Sequence, residues 1–198
     1  MRALLSALFM LFTFSIVAQH YPDKAVDISP LLIGEKAPNA TLTHFSGKTD
    51  SLTTILAKQE TVLIFYRGGW CPFCNVQLAE LQAIESDILK LGYQIVAISP
   101  DSPENLKASL DKHNLKYLLL SDASLKVAQQ FGIAFNVPES SKERLAKSSG
   151  GQNPGQLPVP SVFVFNKQGE ILFEYINPDY KKRIPGNLLL TVLKELKP

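Results

Sequence analysis

The chain has 198 residues, 20 of them basic and 18 acidic, for a net charge of +2 with 45% hydrophobic content. That length suits one domain with a full core and is short for two ordinary ones. The near-balanced charge offers no basic field for nucleic acid or for an anionic membrane surface, so neither is an expected partner.

Met1-Arg2 precedes an apolar and small-residue run from Ala3 to Val17, followed by Ala18-Gln19 and the polar His20-Tyr-Pro-Asp23. This is the pattern of a secretory signal peptide over residues 1–18 with cleavage near Ala18, and the run is short for a membrane span. The expected address is outside the cytoplasm, periplasmic or extracellular, with no stable membrane insertion after cleavage. Ala40-Thr-Leu-Thr43 reads as a short strand and Ser51 to Lys58 as a short helical segment. Thr61 to Tyr66 is apolar without alternation, as in a strand covered on both faces.

Next come Trp70-Cys71-Pro72-Phe73-Cys74, which hold the only two cysteines of the sequence. Pro72 suits the first position of a helix, where its missing N–H costs nothing. Leu78, Leu81, Ile84, Ile88 and Leu91 then recur at helical spacing up to a stop at Gly92. Two thiols spaced C-x-x-C at a helix N-terminus can cycle between dithiol and disulfide, and the positive end of the helix favours the thiolate. A purely structural disulfide closing so short a loop would contribute only about 2 kcal/mol. Zinc needs about four ligands, and His20, His44 and His113 show no ligand spacing, so no metal or other cofactor is expected.

Tyr93 to Ser99 reads as a second buried strand, and Ser102-Pro103-Glu104 opens a capped helix. Tyr117 to Leu120 is a short strand, and a helix ends near Phe131-Gly132. Val162 to Phe165 and Glu170 to Tyr175 form a hairpin, and Leu188 to Leu196 closes the chain as an amphipathic helix. Between residues 138 and 157 the pattern breaks into polar and turn-forming residues, with room for one helix over Glu139 to Lys147. That stretch reads either as a mobile surface loop or as a lid or partner-docking element beside the cysteines. The alternation of strands and helices predicts an α/β fold with a mixed central sheet flanked by helices.

From Gly34 to Leu196 the chain resembles the peroxiredoxins, thioredoxin-fold proteins of the alkyl hydroperoxide reductase and thiol-specific antioxidant group. The residues that carry the likeness are Gly34-Glu-Lys-Ala-Pro38, Phe65 to Gln77, Val96-Ala-Ile-Ser-Pro-Asp101 and Leu120-Ser-Asp122. The resemblance implies a thioredoxin-like domain over 34–198 and places Cys74 on the peroxidatic cysteine. The family pattern P-x-x-x-T-x-x-C is altered: Arg67 stands at the proline position and Cys71 at the threonine position. The family's distant arginine falls at or near Pro160 and is absent there. Trp70-Cys71-x-x-Cys74 is instead similar to the W-C-x-x-C site of thioredoxins and to the C-P-x-C site of glutaredoxins. Val159-Pro160-Ser161 is similar to the loop that presents a cis proline to the thioredoxin dithiol, so a cis Val159–Pro160 bond near the cysteines is expected.

The resemblance admits two chemistries. In a peroxidase, Cys74 attacks a hydroperoxide, becomes a sulfenic acid and is resolved by Cys71, and a thioredoxin-like or other dithiol donor reduces the disulfide. In a thiol–disulfide oxidoreductase, Cys71 attacks a protein disulfide and Cys74 resolves the adduct. A third reading is a non-catalytic binding domain with an idle disulfide. Trp70 is expected to shield the dithiol. Arg67 either lowers a thiolate pKa or is an exposed strand-end residue without a partner. With two family donors missing, peroxide consumption is expected at least roughly 10²-fold slower than in a peroxiredoxin carrying the full set, since one such donor is worth that much. Stopped-flow measurement on the reduced protein checks it.

Overall fold

The structure, a computed structural model, describes residues 21–196, so the leader expected over residues 1–18 lies outside the described residues. In chain order the elements are β1 (Thr41–His44), β2 (Thr49–Ser51), α1 (Leu52–Leu56), β3 (Glu60–Phe65), α2 (Pro72–Lys90), β4 (Tyr93–Ser99), α3 (Pro103–His113), β5 (Leu118–Ser121), α4 (Lys126–Gln130), β6 (Ala134–Asn136), α5 (Glu139–Ser148), β7 (Gln156–Pro158), β8 (Ser161–Phe165), β9 (Ile171–Ile176) and α6 (Gly186–Glu195). Seven strands make one mixed sheet in the order β2-β1-β5-β4-β3-β8-β9. The pairs β3–β4 and β4–β5 are parallel, and β8 runs antiparallel to β3.

The unbroken apolar run of β3 is explained by burial on both faces. Val62 and Ile64 pack with Leu78, Leu81 and Ile88 of α2 and Leu189 and Leu193 of α6. Leu63 and Phe65 turn the other way, onto Leu52, Ile55 and Leu56 of α1 and Phe131. The Phe131 ring lies 4.8 Å from that of Phe65 and 5.2 Å from that of Phe163. With period-2 side-chain direction, every residue from Val62 to Phe65 meets an apolar layer, and the buried Thr61 before them donates its hydroxyl to the Gln59 carbonyl. The sheet therefore holds the C-terminal end of β3 in a fixed place, and the C-x-x-C segment leaves from that end.

Several local features depart from the expected pattern. Residues 21–33 lie ahead of Gly34 and pack on the fold. Asn136 N–H donates to the Pro22 carbonyl at 2.8 Å, Leu31 N–H donates to the Phe131 carbonyl at 3.1 Å, and Ile28 and Leu31 pack on the core. The stretch 138–157 is ordered structure: α5 covers Glu139–Ser148, and β7 pairs antiparallel with β6 in a second, two-stranded sheet. Sequence periodicity could not find three-residue strands. Val159–Pro160 is not cis, since no peptide bond among the described residues is cis. The chain instead runs extended from β7 into β8, with Val159 N–H bound to the Ile133 carbonyl at 2.8 Å.

Asp122 shows how a short helix is held. The N-cap position of α4 is Leu125, in the left-handed region at φ 60°, and its side chain caps nothing. The buried Asp122 carboxylate accepts from Val127 N–H at 3.1 Å and Ala128 N–H at 2.8 Å in its place. Burial, opposed by these N–H donors, raises its pKa to about 7. Asp122→Ala leaves two interior N–H groups unpaired and is expected to cost about 1–3 kcal/mol in urea unfolding, the range for an orphaned buried donor.

Candidate active site

Beyond Phe65, Tyr66 still bonds to the sheet, its N–H donating to the Ile98 carbonyl at 3.0 Å. The chain then turns through Arg67-Gly68-Gly69-Trp70 into α2. Gly68 has φ +133° and Trp70 Nε1 lies where a Cβ would stand, while at Gly69 a Cβ would meet Ser109 Oγ. Both positions need the missing side chain. The turn is pinned from below: Gly69 N–H donates to Asp101 Oδ2 at 2.8 Å, and Ser99 Oγ–H donates to the same oxygen at 3.0 Å. Asp101 is buried, and desolvation raises its carboxyl to about 6 against these hydrogen bonds. This buried acid comes from beyond β4, outside the strand that precedes the motif.

Cys71 is the N-cap of α2, Pro72 holds the first turn, and Cys74 follows one turn in. Both are free thiols, 1% and 0% exposed. The pair shares a proton. The Cys74 thiol donates to Cys71, which together with the Cys74 backbone N–H and the charges of Arg67 and Arg183 outweighs burial and lowers the Cys71 pKa to about 6. The same hydrogen bond, with burial, pushes Cys74 far above the ordinary thiol range. The pair therefore loses its first proton below the ordinary thiol range.

Arg183 is the residue that sequence reasoning missed. From the segment between β9 and α6 it reaches back so that Nη2 donates to Cys74 Sγ at 3.5 Å and Nε donates to Gln77 Oε1 at 2.9 Å. Its Nη1 donates to the carbonyls of Tyr180 and Lys182, so four acceptors fix the guanidinium. The arginine absent at Pro160 is thus matched by a guanidinium from another part of the chain. The sequence signal was the stretch Asn177-Pro-Asp-Tyr180-Lys-Lys-Arg183, similar to the C-terminal stretch of peroxiredoxin-like proteins with a C-x-x-C site, which gave the arginine no role.

Arg67 is not an unpartnered strand-end residue. Its guanidinium lies 4.1 Å from the Tyr180 ring centroid and 5.3 Å from that of Trp70, and Arg144 of α5 also stands 5.3 Å from Trp70. Phe73 meets Tyr180 edge-on at 5.7 Å. Trp70 packs against the core cluster that holds the two cysteines and against Val137, Leu145 and Leu157 as well, so α5 and β7 brace it. Pro160 precedes Ser161, which pairs with Phe65 at the end of β3 from which the motif leaves. Its carbonyl accepts Asn177 N–H at 3.4 Å, a contact that anchors the start of the Arg183 segment. Among the described residues no three His, Cys, Asp or Glu side chains converge on a metal site.

A mixed sheet with a buried dithiol at the head of the helix after its central strand defines a thioredoxin-fold dithiol protein. The chain belongs to the AhpC/TSA family, whose sequence pattern matches residues 33–173, and it is a thiol-dependent oxidoreductase of peroxiredoxin-like type. It is 35% identical over 106 residues to a putative peroxiredoxin bcp of Haemophilus influenzae, spanning 54% of this chain and 68% of that one. With peroxiredoxin Bcp of Escherichia coli K12 it shares 29% identity over 168 residues, 85% of this chain and 99% of the other. Peroxidoxin BcpB of Mycobacterium tuberculosis has the same fold, with a TM-score of 0.67 at 20% identity over 84% of this chain and 98% of its own. So does reduced Prx3 of Vibrio vulnificus in its complex with h2o2, with a TM-score of 0.70 at 16% identity over 82% and 99%.

Titration of the reduced protein by thiolate ultraviolet absorbance should show a first midpoint near pH 6, from the lowered Cys71. Thiolate is then present above that pH and lost below it, against about 8.5 for an ordinary thiol. Arg183→Met removes a charge that favours the anion and should move the midpoint upward. A midpoint at the ordinary value in the unaltered protein would contradict the shared proton.

Proposed function

We propose that this chain is an exported two-cysteine thiol peroxidase in which Cys74 attacks the hydroperoxide and Cys71 resolves it. The observation that carries the proposal is the Arg183 guanidinium at 3.5 Å from Cys74 Sγ, beside a partner sulfur able to take the proton. Export rests on the leader pattern of residues 2–18.

The proton on Cys74 moves to the Cys71 thiolate, and the Cys74 thiolate so formed is held by Arg183. It attacks the nearer peroxide oxygen, the O–O bond breaks, and Cys74 becomes a sulfenic acid. The departing alkoxide takes the proton from Cys71 and leaves as the alcohol. Cys71 thiolate then attacks Cys74 Sγ and expels hydroxide, which solvent protonates to water, leaving the Cys71–Cys74 disulfide. An external dithiol, thioredoxin-like as the family resemblance suggests, restores the pair. Arg183 contributes charge stabilisation preorganised in a site without bulk water, where such interactions are strongest.

Exchange with protein disulfides is the second reading, favoured by the lowered pKa of Cys71, the sulfur that attacks first in that chemistry. Dimedone trapping after peroxide separates the two. In Cys71→Ser, a sulfenic acid on Cys74 is expected to accumulate, and Cys74→Ser should give none. Both variants should lose turnover with a dithiol donor. Absence of adduct in either variant, with continued reduction of a disulfide substrate by the intact protein, would favour exchange.

A further inference from the structure

Arg183 reaches Cys74 from the segment between β9 and α6, so the aim of its guanidinium depends on what fixes that segment. On the C-terminal side, Ile184 is buried in the core and Gly186 N–H donates to Glu80 Oε1 of α2 at 2.7 Å. On the N-terminal side, Asn177 N–H meets the Pro160 carbonyl at 3.4 Å. Lys181 N–H and Lys182 N–H donate to Asp179 Oδ1 and to the Asp179 carbonyl, bonds that tie the turn to itself and not to the sheet. Tyr180 stands between these ties. The Arg67 guanidinium lies over its ring at 4.1 Å from the centroid, and the Phe73 ring meets it at 5.7 Å and 80°. The Tyr180 carbonyl accepts from Arg183 Nη1.

We propose that Tyr180 is a positioning residue for Arg183: its ring, clamped between Arg67 and Phe73, places the carbonyl that aims the guanidinium at Cys74 Sγ. The inference deepens the role given to Arg183 above, and it holds whether a hydroperoxide or a protein disulfide is the substrate. A cation over the face and a second ring nearly perpendicular are the two contacts that an aromatic quadrupole favours. Phe73 directly precedes Cys74 on α2, so the clamp ties the loop to the turn of helix that bears the sulfur.

Burial of Ile184 fixes the backbone beside Arg183 but not the far end of its side chain. An arginine has many rotamers to lose, so its end stays in place only where its acceptors are themselves held. Gln77 Oε1 takes Nε at 2.9 Å, and the carbonyls of Tyr180 and Lys182 take Nη1, which leaves Nη2 for the sulfur. Of the two carbonyls, the one at Tyr180 belongs to a residue whose ring is gripped by the motif's own side chains. Without that ring the turn keeps its internal bonds and loses its hold on α2.

The test reads the ionisation of Cys74 alone, in a Cys71→Ser background, from the pH profile of its alkylation by iodoacetamide followed by mass spectrometry. The midpoint of the profile reports the thiolate and its plateau reports access, so a loop that merely loosens raises the plateau and leaves the midpoint. Arg183→Met should move the midpoint upward and slow alkylation below it by about tenfold, the low end of what an adjacent opposite charge does. Tyr180→Leu should reproduce most of that shift, and Phe73→Leu a smaller part of it. Tyr180→Phe keeps the ring and the carbonyl and should keep the parent midpoint. Added to Arg183→Met, Tyr180→Leu should move the midpoint no further, because a residue that acts through another is not additive with it. An unmoved midpoint in Tyr180→Leu, or in Phe73→Leu should the former not fold, would overturn the proposal. So would an equal shift in Tyr180→Phe, or a full Tyr180→Leu shift that persists beside Arg183→Met. An Arg183→Met profile identical to the parent would overturn it together with the role of Arg183. Failure of the peroxidase reading alone would appear elsewhere, as absence of a dimedone adduct on Cys74 after peroxide while the midpoints still shift as stated.

Discussion

Two buried thiols at the head of one helix govern this site. Two thiolates cannot coexist at this separation in a medium that shields charge poorly, so the pair ionises as a unit with a first and a distant second step. Everything around the dithiol serves the single negative charge that remains. The head of α2 offers it unpaired N–H groups, Pro72 starts the helix without needing one, and Arg67 and Arg183 supply countercharge from two directions. Burial works against the anion, and the hydrogen bond from Cys74 is the larger effect at Cys71.

That arrangement needs a rigid floor and a movable cover. The floor is the C-terminal edge of β3 and β4, where Tyr66 remains hydrogen-bonded to the sheet and Asp101 ties down the Gly68-Gly69 turn. Two packed apolar layers fix these strands, and a shift there would have to displace the Phe65–Phe131–Phe163 cluster. The cover is made of side chains: Trp70, Phe73 and Tyr180 with Arg67 stacked among them. Phe73 and Tyr180 remain 39% and 37% exposed, so the cover lies at the surface and can part by side-chain rotation without unfolding a strand.

The site also shows a familial scaffold carrying altered groups. A cationic group is present at Cys74, yet it comes from residue 183 and not from the start of β8, where Pro160 stands. Moving the guanidinium to the segment before α6 makes the dithiol depend on a loop tied down by the Pro160–Asn177 contact and by Gln77 on α2. The segment is thereby coupled to the helix that bears the cysteines, because Gln77 lies one turn beyond Cys74 on the same helix face.

The sequence by itself determined the order of strands and long helices, the two-sided burial of β3 and β4, and the placement of Cys71, Pro72 and Cys74 at a helix start. These are local matters: periodicity, proline position and β-branched content act over a few residues, so they can be read one segment at a time. It also left 138–157 open and missed the strands at Thr49–Ser51, Ala134–Asn136 and Gln156–Pro158, whose three-residue lengths carry no period. Only the tertiary structure decided that Val159–Pro160 runs straight into β8 without a cis bond, and that Arg67 stacks on Tyr180, 113 positions away by their numbers. It alone brought Asp101 under Gly69 and Arg183 to Cys74 across 32 and 109 positions. Charge and hydrogen bonding act through space at a few ångströms. The residues that set the chemistry of the two cysteines were therefore visible in the sequence, but their assignment to the site was not.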